Sequence, residues 1–270
     1  MRAEAARSVA LAAALAWLTA TDAGANEPTA LVEEAVQAYT QALNTEERDL
    51  RLEEFRRAER LFAHAAAAGV RNADLYTNLG NAALQAEHLG SAVLAFRRAL
   101  LVDPAQPRAL QNLVHARSLL PEWVPRPEAG GLLDTFFFWH RTIPRAQRAT
   151  AAAACFAAAG VLLAAALRFR QAALRNAALL PVLAWSVLLG SVWMDPAGEA
   201  RDQAVVTADE VVARAADSSL APSAFPQPLP GGVELRIVER RLPWLRVRLA
   251  NGRDAWVSES SVTSVALPGG

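Results

Sequence analysis

Histidine and cysteine, the side chains that most often bind metals or act as catalytic bases and nucleophiles, are sparse in this sequence. His64, His88 and His115 form neither an HExxH motif nor a pair at the i, i+4 spacing that a zinc site on one helix needs. Cys155 is the single cysteine, which excludes both an intramolecular disulfide and a cysteine-based metal site. We therefore expect a protein that is not an enzyme and that holds neither a metal nor a cofactor.

Groups suited to recognition are better represented than groups suited to catalysis. Asn78, Asn81 and Asn112 lie on predicted helices, and Arg108 and Arg117 add charge near them. The asparagines could bond the backbone of an extended partner peptide, or they could only satisfy helix ends and contacts between helices. The second role is the commoner one, and the first stays open as a partner-binding hypothesis.

A repeat of 34 residues places these amides on helices. A shift by that length aligns Ala58 with Ala92, Phe62 with Phe96, and Ala65 with Ala99. Such a period is the signature of tetratricopeptide repeats, in which pairs of antiparallel helices stack into a solenoid. We therefore predict an all-α tetratricopeptide-repeat domain over residues 26–120.

The repeat from Ala73 to Gln106 fits the tetratricopeptide pattern most closely. Its structural positions are Tyr76, Leu79, Gly80, Ala92, Phe96, Ala99 and Pro104. Because a glycine costs a helix roughly 1 kcal/mol relative to alanine, we expect Gly80 to allow a close approach by the second helix of its own repeat. The stretch 30–70 resembles a diverged repeat, and 108–119 a capping helix.

The N-terminus has the three parts of a secretory signal peptide. A basic start at Arg2 and Arg7 precedes an apolar run from Val9 to Ala20 and the small residues Ala23 to Ala25. We predict that residues 1–25 direct export. An uncleaved anchor is the alternative, although the apolar run is short for a membrane span.

Two further apolar segments, 149–167 and 176–194, are long enough to cross a bilayer, which takes about 20 residues. The link at 168–175 is too short for a domain, so we predict a transmembrane α-hairpin with this link as a cytoplasmic loop. Two buried helices of a soluble protein are the alternative, but neither segment has a polar stripe. Arginines flank both ends of the first segment, so the exported N-terminus decides the orientation and places both soluble parts outside the cytoplasm.

Residues 121–148 are predicted to form a linker followed by an interfacial segment. Proline and glycine are frequent from 121 to 131, and four consecutive aromatics, Phe136 to Trp139, then precede several arginines. Aromatics beside arginines are typical of a chain that lies at the membrane surface, and a surface for a partner helix is the rival interpretation.

After the second apolar segment the pattern changes to short strands separated by turn residues. Five runs have this character: AVVTA, EVVARA, GVELRIVER, WLRVRLA and DAWVSE. Asn251–Gly252 between the last two is a strong hairpin signal, and the set predicts a small all-β barrel over residues 200–267. The order of features resembles bacterial SH3-like domains. Phe225, Trp244 and Trp256 would then form a groove for a peptide or a cell-wall glycan, unless they fill the core.

The order of all these parts resembles the BatE proteins of bacterial aerotolerance operons. The most specific local matches are YTNLGNAAL, GSAVLAFRRALLVDP with ALQNLVHAR, and WLRVRLANGRDAWV. The resemblance implies a bacterial inner-membrane protein with both soluble domains in the periplasm, encoded beside von Willebrand A-domain Bat proteins and a MoxR-type ATPase. It also implies a role in oxidative-stress tolerance or in the assembly of an envelope complex.

The charge balance narrows the choice of partners. With 27 basic and 27 acidic residues the chain has no net charge, which argues against nucleic acid. We expect a multidomain, non-enzymatic scaffold that holds protein partners through its repeats and its SH3-like domain. The alternative is a cell-wall sensor or adaptor that binds peptidoglycan through the SH3-like domain.

Overall fold

A computed structural model describes residues 28–127, 145–193 and 200–267. The predicted signal peptide and the aromatic run from Phe136 to Trp139 lie outside the described residues. The chain divides into two compact units. The first combines Met1–Arg126 with Asp202–Gly270, and the second is Pro127–Arg201.

Within the described part of the first unit, five helices precede the β-structure. They are α1 (residues 28–44), α2 (Arg48–Ala67), α3 (Ala73–Gln85), α4 (Leu89–Val102) and α5 (Pro107–Ser118). Asn72 caps α3 by accepting a hydrogen bond from the backbone N–H of Asp74 at 2.7 Å. Short connections make consecutive helices antiparallel, and α3 packs against α2, α4 and α5.

Gly80 lies at the contact between α3 and α4. A Cβ atom added there would come within 2.5 Å of the Phe96 ring, which is closer than nonbonded carbon atoms can approach. Ala83 and Ala92 are fully buried in the same cluster of side chains as Phe96. The prediction that Gly80 makes room for the second helix of its own pair is therefore confirmed.

Seven strands are described in the C-terminal part of the first unit. They are β1 (Gln203–Val206), β2 (Glu210–Val211), β3 (Leu229–Pro230), β4 (Glu234–Arg241), β5 (Trp244–Leu249), β6 (Asp254–Ser258) and β7 (Val262–Ser264). Five of them form an antiparallel sheet in the order β6-β5-β4-β1-β7, and β2 pairs with β3 separately.

The hairpin predicted at the Asn-Gly pair is confirmed. Strands β5 and β6 pair directly, and Gly252 in the turn has a φ of +80°. Its N–H donates to the carbonyl of Leu249 at 2.9 Å, closing a turn that glycine enters without steric cost. The run EVVARA contributes only the two residues of β2 as a strand, whereas β3 and β7 were not predicted from the sequence.

The helices and the β-structure of the first unit share one apolar core. Leu120 and Val124, which follow α5, are buried in the same cluster as Leu229 and Val233 of the β-structure. A second cluster joins Val205 of β1 and Val265 to buried residues of α4 and α5. Burial of this kind stabilises a fold by about 25 cal/mol per Å² of apolar surface, so the two parts hold each other in place.

Two glycines allow the backbones to meet in that shared core. A Cβ atom on Gly90, at the start of α4, would lie 2.5 Å from the carbonyl oxygen of Val206. Gly232 has a φ of +94°, which L side chains rarely adopt, and a Cβ atom there would lie only 3.1 Å from the Leu89 side chain. The first turn of α4 therefore packs directly on the backbone of the β-structure.

One buried carboxylate is paired across the same contact. The side chain of Glu234 on β4 is 9% exposed. It accepts two hydrogen bonds from Arg117 of α5, from Nε at 2.7 Å and from Nη2 at 2.9 Å, and Arg97 of α4 lies 3.4 Å away. A buried charge needs such partners, because desolvation without them costs several kcal/mol.

The second unit is a helical hairpin. Its helices are α6 (Arg145–Phe169), α7 (Ala172–Ala177) and α8 (Leu179–Trp193). Two stretches, Ala146–Phe169 and Ala172–Val192, are long and apolar enough to cross a membrane. The predicted existence of two such helices is confirmed, although both begin earlier than the predicted bounds of 149 and 176.

The structure explains the break in the second apolar stretch. Pro181 lacks an N–H and its ring crowds the carbonyl four residues earlier, which belongs to Ala177, the last residue of α7. At the opposite end of the hairpin, the buried Arg148 of α6 donates to the carbonyl and the hydroxyl of Ser191 on α8 at 2.7 and 2.6 Å. The rings of Phe156 on α6 and Trp185 on α8 contact each other, with 5.5 Å between their centroids.

We predict that Gly80→Ala destabilises the first unit. Alanine is the better helix former by roughly 1 kcal/mol, but a methyl group overlapping the Phe96 ring should cost about 1–3 kcal/mol and leave a net loss. Denaturant unfolding of the full chain in detergent micelles, followed by tryptophan fluorescence, measures the midpoint. Gly160→Ala is the matched control, because nothing lies within 4 Å of a Cβ at that position. Equal midpoints for Gly80→Ala and the parent would contradict the packing argument.

We predict that Glu234→Gln is strongly destabilising. It removes the charge that two partly buried arginines face, and breaking a buried ion pair costs about 3 kcal/mol or more. Asp254→Asn is the matched control, because Asp254 makes the same two-bond contact with Arg248, at 2.6 and 2.9 Å, on an exposed surface. Both variants are compared by denaturant unfolding of the full chain. If Glu234→Gln lowers the free energy of unfolding no more than Asp254→Asn does, the ion pair between the helices and the β-structure contributes no more to stability than an exposed one.

Candidate functional site

Two of the predicted partner-binding asparagines contact each other. The Asn112 side-chain amide on α5 donates to the Asn81 side-chain oxygen on α3 at 2.7 Å, and both residues are half-buried. This bond joins α3 to α5, and contacts between helices are one of the two roles that the sequence left open. Asn78, one turn before Asn81 on α3, is also half-buried. Each amide in the bonded pair keeps a further donor or acceptor for a ligand.

The two predicted arginines have partners of their own. Arg108 donates to the Asp74 carboxylate at 2.6 Å on the exposed surface. Arg117 is bonded to Glu234 and lies at the contact with the β-structure, with one fifth of its side chain exposed. Of the charged residues predicted for partner binding, only Arg108 is therefore presented openly.

The seven predicted structural positions of the repeat lie along the contact between α3 and α4 and in the turn after α4. Tyr76 is fully buried, and its hydroxyl has no hydrogen-bond partner among the described residues. Burial raises the pKa of Tyr76, while the nearby charges of Arg98 and Arg71 lower it by less. Leu79, Ala92, Phe96 and Ala99 are buried, and Pro104 lies in the turn before α5.

The predicted SH3-like groove residues fall on different surfaces. Phe225 is buried in the apolar core of the β-structure. Trp256 lies directly opposite Arg246 on β5, and strand alternation puts Trp244 on that same face, away from the core-facing Leu245. Trp244 and Trp256 therefore share one face of the sheet, whereas Phe225 belongs to the core.

The outward-facing Trp256 is covered. Its backbone exchanges two hydrogen bonds with Arg214, at 2.7 and 2.8 Å, and its side chain is only 9% exposed. The Arg241 guanidinium lies 5.4 Å from the centroid of its ring, and Glu239 and Asp217 hold that guanidinium in place. Trp256 thus belongs to a packed surface layer, and Trp244 is half-buried at its edge.

An open cleft forms where the segment after α5 meets the loop before β3. Its volume is about 240 Å³, and it is lined by Trp123, Pro125, Phe225, Pro226, Gln227, Asn251 and Arg253. Phe225 is 6% exposed, whereas Trp123 is 38% exposed and remains open to a ligand. Aromatic and proline side chains with a few polar groups are typical of binding surfaces. We call this set of residues the junction cleft.

Arg253 supplies the charge of the junction cleft. Its guanidinium lies 4.4 Å from the centroid of the Phe225 ring and donates to the Ala224 carbonyl at 2.9 Å. The neighbouring Arg248 is different, because its guanidinium is engaged by Asp254 and holds the pKa of that carboxyl below its usual value. Arg253 has no carboxylate partner among the described residues, so its positive charge is available.

The lining of the junction cleft can bind but has no group for acid–base or nucleophilic catalysis. It contains amides, aromatics, prolines and one guanidinium. No cluster of histidine, cysteine or acidic side chains suited to a metal occurs among residues 28–127, 145–193 and 200–267.

Trp123 is a candidate ligand-binding residue that the sequence pattern did not indicate. It lies within the proline-rich stretch that was interpreted only as a linker. An aromatic between Pro121 and Pro125 is a usable signal, because linkers that stay in water seldom carry tryptophan. Nothing local, however, indicates that it meets a loop a hundred residues further along the chain.

The chain was compared with protein-family models, with curated proteins and with solved structures. No match was found in any of the three comparisons.

Proposed function

We propose that the protein is a non-enzymatic scaffold of a bacterial inner membrane, with tetratricopeptide repeats and an SH3-like domain that hold protein partners in the periplasm. The observation that carries this proposal is that the first unit combines the helices before the hairpin with the strands after it. The segments before and after the hairpin pack into one core, so both must lie on the same side of any membrane that the hairpin spans.

The tetratricopeptide assignment has support from the helix contacts. Antiparallel helices α2 to α5 pack in sequence, the glycine and alanines of the 34-residue pattern are at close contacts, and Asn81 bonds Asn112 between α3 and α5. The SH3-like assignment has support from a small antiparallel sheet in which alternate residues of β4, β5 and β6 belong to the apolar core.

Membrane insertion of the hairpin is favoured by its exposed apolar surface. Only 17% of one candidate span and 6% of the other are buried. A core helix of a soluble protein would be mostly covered, and solvent-exposed apolar stretches of this length are unfavourable in water. The strongly polar contact between Arg148 and Ser191 lies near the helix ends, where an arginine can reach the lipid headgroups.

The resemblance to BatE proteins indicates which kind of complex the protein would join. We propose von Willebrand A-domain Bat proteins as partners and an envelope or oxidative-stress complex with a MoxR-type ATPase as the setting. The alternative is a sensor or adaptor that binds peptidoglycan. That alternative is favoured by the exposed ring of Trp123, because aromatic faces commonly stack on sugars.

We predict that residues before and after the hairpin are accessible from the same compartment. In a Cys155→Ser background, Leu43→Cys and Leu220→Cys introduce thiols at positions that are 61% and 93% exposed. A membrane-impermeant maleimide added to spheroplasts should label both. Arg170→Cys, in the link of the hairpin, should react only after lysis. Labelling of one of the first two without the other, or of Arg170→Cys in intact spheroplasts, would overturn the topology.

We also predict that the surface around Asn78 contacts an envelope protein. A photoreactive amino acid at Asn78, introduced into the full chain in its native membranes, should crosslink to a von Willebrand A-domain protein or another envelope protein identified by mass spectrometry. The same group at Arg60, exposed on α2, is the positional control. If both positions give the same background, or neither gives an envelope protein, the scaffold proposal fails.

A further inference from the structure

We propose that the junction cleft binds an extended acidic peptide segment of a partner protein, with a proline or aliphatic side chain between Trp123 and Phe225 and an adjacent carboxylate on Arg253. This inference deepens the proposed scaffold function and rests on it. It assigns the cleft to one partner chemistry and gives Trp123 and Arg253 distinct roles.

The size of the junction cleft favours a short piece of chain. Small-molecule sites typically enclose about 300–1,000 Å³, and this cleft of about 240 Å³ falls below that range. It therefore suits about two or three residues of a longer ligand that continues across the surface. An extended peptide is such a ligand, and aromatic and proline walls are the surfaces on which extended proline-containing segments lie.

The polar groups of the cleft match a peptide backbone. Gln227 and Asn251 are exposed at the lining, and their amides offer both donors and acceptors. The Asn251 side-chain oxygen accepts a hydrogen bond from the backbone N–H of Arg253 at 3.1 Å, and its NH₂ group can still donate to a ligand. Amide pairs of this kind can bond the alternating carbonyl and N–H groups of an extended strand.

The positive charge of Arg253 favours an acidic ligand. The lining contains one cation and no carboxylate, and Arg253 has no acidic partner among the described residues. Its guanidinium still has N–H donors free after the bond to the Ala224 carbonyl, so it can form a charge-assisted bond to an incoming carboxylate. A basic or neutral segment would leave that interaction unused.

The cleft is already formed before a ligand arrives. Arg253 is held by the Phe225 ring, the Ala224 carbonyl and the Gly252 turn. Trp123 is anchored by its neighbour Val124, which is 3% exposed in the shared core. Prearranged side chains lose little conformational entropy on binding, so a short segment suffices for measurable affinity.

The test selects ligands from a phage-displayed library of random decapeptides on the immobilised full chain in lipid nanodiscs. We expect enrichment of peptides in which Asp or Glu stands beside proline or an aliphatic residue. Trp123→Ala and Arg253→Gln should each weaken binding of an enriched, fluorescein-labelled peptide about tenfold, as expected for loss of an apolar or a charge-assisted contact. Arg236→Gln, at an exposed arginine of β4 outside the cleft, should leave affinity unchanged.

A second comparison isolates the carboxylate. Replacing the acid of the enriched peptide by its amide should weaken binding to the parent chain about tenfold and should cost nothing further in Arg253→Gln, because the two changes remove the same bond. Enrichment without acidic residues, or affinity insensitive to either cleft variant, overturns the proposal. Binding to purified peptidoglycan sacculi that requires Trp123 but not Arg253 also overturns it, in favour of a glycan ligand.

The outcome is separable from that of the scaffold proposal. Photocrosslinking from Asn78 reports on the helical surface and should persist in Arg253→Gln, because the two residues lie in different parts of the first unit. Persistent crosslinking with no acidic peptide selected rejects the cleft assignment alone. Selection of acidic peptides without any crosslinked envelope protein rejects the proposed scaffold function and leaves peptide binding as an isolated property.

Discussion

The contact between the first turn of α4 and the backbone of the β-structure is the constraint on which the rest of the first unit depends. It is so close that neither Gly90 nor Gly232 has room for a side chain without displacing a neighbour. The two sides of this contact come from distant parts of the chain, because the helices end before Arg126 and the strands begin after Asp202. The core is therefore complete only when the chain before Arg126 and the chain after Asp202 have come together.

An ion pair inside an apolar contact has a different role from the apolar contact itself. Hydrophobic burial stabilises the joined parts but tolerates sliding, since it is not directional. The two parallel hydrogen bonds between Arg117 and Glu234 exist in one relative position only. Buried pairs are seldom net stabilising compared with apolar side chains, and the best-attested use of such groups is to fix register. We infer that this pair sets how α5 lies on β4.

Local pattern was sufficient for several of the elements but not for their assembly. The 34-residue period predicted the α3–α4 pair and the purpose of Gly80, because both depend on residues within one repeat. The Asn-Gly pair likewise predicted the β5–β6 hairpin. The sequence around Gly90 does not indicate why a glycine is needed there, since the strand that needs its space lies more than a hundred residues later. The same distance separates Arg117 from Glu234, and sequence alone therefore offered Arg117 as a residue for a partner.

Helix α5 and the residues after it join the two candidate binding surfaces. Asn112 faces α3, Arg117 is fixed to the β-structure, and Trp123 follows in the junction cleft. Allosteric coupling between these surfaces would require two arrangements of α5. The closely packed glycines and the two hydrogen bonds between Arg117 and Glu234 favour a single arrangement. If both surfaces bind one partner, two sites fixed on one body would act through effective concentration: a partner held at the helical surface would present its neighbouring segment to the cleft at a high local concentration. A cleft with modest affinity of its own can then contribute to tight binding, provided that the partner spans both surfaces.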